Sequence, residues 1–161
     1  MNCIRKELVF LVKFFAIYFV LQAVIMLAPL GWLQNFIASF EAGLLGLESV
    51  TNAIQAGGGI FIIAANCTGL VSASILAAVV FSLKKPEFKK KLLVFVAGSF
   101  ALMLLNLARL YLVLLVATSF GLMWAETVHT VSWFTTAALV LAAWYFGTKR
   151  IAKVTNFKEL L

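Results

Sequence analysis

Charge is scarce in this chain, and negative charge scarcer still: six Asp plus Glu stand against thirteen Lys plus Arg in 161 residues, only 12% of which are charged while 64% are hydrophobic. A soluble domain of this length cannot keep so apolar a composition in water, which leaves an integral membrane protein. Prolines number only two, so little interrupts the apolar runs. The formal charge of +7 would suit nucleic acid, but the basic residues punctuate apolar runs instead of lining a polar face, so no nucleic-acid partner is expected. One histidine, two cysteines and few acids offer no paired ligand spacing, so neither a metal nor another cofactor is expected.

What is present in quantity is long hydrophobic sequence. Crossing about 30 Å of hydrocarbon takes roughly 20 residues, and four stretches meet that length: 10–30, 60–83, 92–119 and 128–148. The fold class expected is therefore all-α, a polytopic bundle of four transmembrane helices in one domain over 1–161. Arg5, Lys6 and Lys13 precede or open the first stretch, Lys84, Lys85 and Lys89 to Lys91 separate the second from the third, and Lys149, Arg150, Lys153 and Lys158 follow the fourth. Twelve of the thirteen basic residues thus fall on one side, which the positive-inside rule makes cytoplasmic, with both termini inside. The first stretch is longer than a signal-peptide core and carries Lys13 near its start, so it reads as an uncleaved helix in the cell membrane. On this topology Cys3 is cytoplasmic and Cys67 lies at the outer end of the second span, where the two cannot pair.

Residues 31–59 are too polar to span and too apolar for a solvated loop. Trp32, Phe36, Ile37, Phe40, Leu44 and Leu47 recur near helical spacing, which predicts an interfacial amphipathic helix. Three glycines, Gly57 to Gly59, then break it and permit either a re-entrant turn or a short extended stretch before the second span.

Polar side chains inside the spans are few enough to compare by height. At about 1.5 Å per helical residue, Cys67 sits about 25 Å above Lys84, Arg109 about 27 Å above Lys91, and His129 about 30 Å above Lys149. A thiol, a guanidinium and an imidazole from different helices therefore share one outer layer. Arg109 is followed by apolar residues out to 117, and no carboxylate lies in any span to pair with it, so a polar cavity or a substrate is its expected partner. In "NCTG", Asn66 or Thr68 is a candidate helix cap that places Cys67 at the positive end of a helix dipole, and Gly69 leaves room beside the sulfur. Asn106, three residues before Arg109, shares its face and can orient the guanidinium, or pack between helices. Glu126 either orients His129 or complements a helix N-terminus.

Together, "NCTGL" opening one span, "NLAR" in the next and a histidine opening the last resemble the exosortase/archaeosortase family of membrane cysteine transpeptidases, over about residues 57 to 135. The chain lacks the additional spans of the bacterial exosortases and is more similar to a short archaeosortase. The resemblance implies Cys67 as nucleophile, with Arg109 and His129 as its essential partners. It implies as substrate the C-terminal sorting signal of a surface protein, a short motif followed by a transmembrane helix and a basic tail. Cleavage would take place on the outer face through a thioester, resolved by a membrane lipid headgroup or by water. The competing reading is a small-solute transporter or its substrate-binding subunit; such sites lie near the bilayer midplane, which is apolar here.

Overall fold

A computed structural model describes residues 2–152, with side chains for 6–150, so the expectations placed on Cys3, Arg5, Lys153 and Lys158 lie outside the described side chains. In chain order the elements are α1 (Asn2–Leu27), α2 (Gly31–Leu45), β1 (Ser49–Val50), β2 (Ala53–Ala56), β3 (Gly59–Ile62), a 3-10 turn (Ala65–Thr68), α3 (Leu70–Ser82), α4 (Phe88–Phe120) and α5 (Leu122–Ala152). The architecture is a helical membrane bundle. Three segments are long and apolar enough to cross a bilayer: Lys6–Leu27, Phe88–Phe120 and Leu122–Arg150.

The expected second span is the main departure. Residues 60–83 do not form one helix; they are divided among β3, the 3-10 turn and α3, whose 13 residues extend about 20 Å, short of a full hydrocarbon core. The cause is local. Gly57 and Gly58 adopt φ of +58° and +79°, the left-handed pair that a tight type I′ hairpin demands and that side chains disfavour. Once that turn forms, the β-branched run after it pairs with the run before it, Ile54 opposite Phe61 and Ala56 opposite Gly59. Gly69, at φ +83°, then ends the irregular stretch and lets α3 begin.

The result is a three-stranded antiparallel sheet, ordered β1-β2-β3, inside an otherwise helical chain. Its hairpin tip is wedged against the corner of the bundle where α4 ends and α5 begins: a Cβ on Gly57 would collide with the Ala117 carbonyl oxygen, and one on Gly59 would lie 2.8 Å from Leu122. Glycine at position 57 is thus fixed twice, by its turn conformation and by contact with backbone.

The stretch expected to form an interfacial helix is α2, which has one buried and one exposed apolar face. Leu33, Ile37, Ala38 and Ala42 face inward, against β2 and α4. Trp32, Phe36, Phe40 and Leu44 recur every four residues on the other side and are exposed, a stripe suited to lipid. Below this cap, α3, α4 and α5 pack around Leu76, Val80, Val94, Leu102 and Val140. Between membrane helices the hydrophobic effect supplies little, so close packing holds them. Gly98 shows it: a Cβ there would lie 2.6 Å from Leu76. At the lysine-rich end, the Lys91 ammonium donates to the Leu83 carbonyl and ties α4 to the end of α3. Within the bundle, the Gln22 amide donates to Ser74 at 3.1 Å and joins α1 to α3.

Candidate active site

Cys67 is half-buried in the 3-10 turn, which tightens as its N–H donates to the Ala64 carbonyl at 2.9 Å. Its own carbonyl accepts the Asn106 amide Nδ2–H at 2.7 Å. Asn106 is buried, and its Cβ lies 3.4 Å from where a Cβ on Gly69 would sit. The "NLAR" turn of α4 therefore reaches across and fixes the backbone that presents the thiol. One helical turn further on, Arg109 stands beside the Trp133 indole of α5.

Arg109 is the least satisfied group in this layer. Its Nε and Nη2 are buried and make no hydrogen bond within the structure. Partial compensation comes from the Trp133 indole, whose face lies 5.5 Å from the guanidinium carbon; with Trp133 46% exposed, a cation–π contact of this kind contributes about 0.5 to 1 kcal/mol. The same indole donates its Nε1–H to His129 Nε2 at 3.2 Å. A neutral imidazole accepting at Nε2 carries its proton on Nδ1. Trp133 is thus a bridge, stacking on the cation and holding the basic nitrogen of the histidine.

The structure brings Asn106 against Cys67 and Gly69, and brings Arg109 and His129 against Trp133. The assigned roles of three others change. Asn66 is exposed and caps nothing. Thr68 is buried and donates its hydroxyl to Ala65 at 2.6 Å, closing the 3-10 turn, with the Leu70 N–H only 3.5 Å away. The N-cap of α3 is Gly69, so Cys67 precedes the helix instead of occupying its first turn, and the expected dipole effect on the thiol is reduced by that separation. Glu126 is exposed on α5 and makes no hydrogen bond to His129 among the described residues, where the indole takes its place.

Two residues take roles that the reading of the sequence did not assign. Trp133 follows His129 by four positions, a spacing that stacks side chains on one helix face. Glu41 follows Ile37 by four and shares the inward face of α2. It is fully buried, and neither carboxylate oxygen has a hydrogen-bond partner among the described residues. Burial pushes its pKa up to about 7.

Alongside Arg109, a groove of about 480 Å³ runs between α4 and α5. Leu102, Leu105, Leu112, Val131 and Leu139 make it apolar, with Ser132 and Thr136 among its few polar groups. Among the described residues no group of His, Cys, Asp or Glu is arranged to hold a metal ion. No known family, curated protein or solved structure matches the chain.

Proposed function

We propose that this chain is a membrane-embedded cysteine peptidase or transpeptidase that cuts the C-terminal sorting signal of surface proteins on the outer side of the membrane. One observation carries the reading: Arg109, with two buried donors unfilled, shares the Trp133 indole with the only histidine of the sequence and stands three residues after the Asn106 that holds the Cys67 carbonyl. A buried guanidinium without a carboxylate calls for a ligand that brings negative charge, and the oxyanion formed when a thiolate attacks a peptide carbonyl is such a species.

In this mechanism the basic residues around Lys84 to Lys91 and Lys149 lie in the cytoplasm, and Cys67 faces outward. The substrate's transmembrane helix lies in the groove between α4 and α5, which passes Arg109. His129 Nε2 takes the thiol proton, exchanging the indole hydrogen bond for it. The thiolate attacks the scissile carbonyl, and Arg109 stabilises the oxyanion. The imidazolium returns its proton to the leaving amine, and the acyl group remains on sulfur as a thioester. A lipid headgroup or water then attacks the thioester and restores the thiol.

Cys67→Ala is the deciding variant, because alanine fits the half-buried site without disturbing the turn. Membranes carrying it should contain normal amounts of the protein and process no substrate, whereas wild-type membranes should yield a hydroxylamine-sensitive acyl adduct. Normal tail removal by Cys67→Ala would end the peptidase reading.

A further inference from the structure

The register of the sheet determines which backbone groups are left over. Ile63 donates to the Asn52 carbonyl at 2.8 Å, and Gln55 donates toward β1, to Glu48, at 3.0 Å. Alternation along an antiparallel ladder then turns Gly59, Phe61 and Ile63 toward β2 and turns the N–H and C=O of Ile60 and Ile62 outward. β3 is the last strand of the sheet, and β2 is its only substantial neighbour. Among the described residues no group bonds to the outward backbone of Ile60 or Ile62. Their side chains are 68% and 64% exposed, although both are isoleucine.

An open apolar edge is a template for another strand, and folded proteins ordinarily blunt it with charge or proline. This edge carries neither. It is also held rigidly, since Gly57 and Gly59 fasten the hairpin to Ala117 and Leu122. The chain that leaves it reaches Cys67 five residues after Ile62, through a turn pinned by Asn106. An unpaired edge near hydrocarbon is costly, because nothing there replaces the missing hydrogen bonds.

We propose that the outer edge of β3 is a substrate-docking edge: an extended polypeptide segment flanking the scissile bond adds to it as a fourth strand and is thereby led to Cys67. This rests on the peptidase reading. Recognition would come from alternate backbone groups, those of Ile60 and Ile62, with the two isoleucine side chains against alternate side chains of the incoming strand. A groove for the transmembrane helix and an edge for the extended segment together match a substrate whose helical tail follows its cleavage site.

Proline distinguishes this edge from ordinary packing. At Ile60 or Ile62 it removes an outward N–H and spares every bond to β2, a position that sheets tolerate. The probe is a panel of fusions in which a soluble reporter precedes the apolar C-terminal helix and basic tail of the host's single-span surface proteins. Ile60→Pro and Ile62→Pro should each slow tail removal at least about tenfold, the loss expected for one hydrogen bond plus the steric bulk of the ring, at unchanged protein level. In parallel, Ile62→Cys in a Cys67→Ala background should form a disulfide with a cysteine placed in the reporter segment just before the apolar helix. If wild type removes the tail and both proline variants stay within about threefold of it, the edge proposal falls and the peptidase stands. A disulfide formed where wild type cleaves no fusion would keep the edge as a peptide-binding site and end the peptidase reading. Neither cleavage nor disulfide, or a disulfide joining two copies of this chain through Ile62→Cys, would overturn the edge.

Discussion

The candidate site draws on two kinds of backbone. Arg109 and His129 stand on α4 and α5, uninterrupted helices of 33 and 31 residues, whose geometry fixes the height of every side chain by its place in the sequence. Cys67 stands on a strand, a four-residue 3-10 turn and a left-handed glycine, and its position depends on contacts made from outside that segment. The comparison teaches that a regular helix sets a catalytic group by counting, whereas an irregular segment sets it by being tied, here through Asn106.

The largest effect expected is at the regular end. Arg109→Lys retains a positive charge but not the planar fork that stacks on Trp133 and offers several fixed donors. Losing one oxyanion donor elsewhere lowers rates about 100- to 1,000-fold, and initial cleavage rates at matched protein levels should fall by that order. A lysine variant within about threefold of wild type would show that position 109 supplies charge alone.

Glu41 tests whether the two regions are equally stable. Its folded pKa of about 7 lies above the ordinary 4.5, so folding penalises the ionised form. The penalty is absent below pH 4.5, grows as pH rises to about 7 and is constant beyond, reaching roughly 3 kcal/mol. Hydrogen exchange should therefore show α2 and the sheet loosening between about pH 4.5 and 7 while α4 does not, and Glu41→Gln should abolish the difference. Equal loosening of α4 would mean that cap and bundle open as one unit.

Cutting the tie itself should have a smaller effect. Asn106→Ala leaves the Cys67 carbonyl without its donor, at about 1 to 3 kcal/mol, and should reduce cleavage about tenfold while Arg109 and His129 stay in place. A smaller change still is expected from Trp133→Phe, which retains a ring over Arg109 and removes the donor to His129; Trp133→Ala removes both, including a ring contact of about 0.5 to 1 kcal/mol, and should be the slower of the two. Equal rates for the two variants would assign the residue's contribution to the indole N–H.

The same contrast explains what was legible in the sequence. The spans of α1, α4 and α5 follow from unbroken apolar length, and α4 runs 88–120 where 92–119 is expected. Arg109 could be singled out because an unpaired cation in such a run has few explanations. The extended stretch after Gly57 to Gly59 is one of the two alternatives those glycines permit, and β3 realises it, whereas β1 and β2 were opaque because an apolar run of four to six residues suits a buried helix as well as a strand. The discriminating signal, two glycines between β-forming stretches, also resembles a simple breaker. Glu41 was hidden for a different reason: on a helix with Trp32, Phe36 and Phe40 on one side, a carboxylate on the other reads as the solvent face, and only β2, the 3-10 turn and α4 make that side an interior.

The shortness of α3 is enclosed by protein. None of its residues is exposed, and α1, α4 and α5 pack against it. Its 13 residues stand among helices of 26, 33 and 31, and the irregular backbone before it meets α4 at Asn106, 14 residues before that helix ends. Non-helical backbone at membrane depth is tolerated where protein surrounds it, and the missing turns of α3 are the space in which such backbone is held.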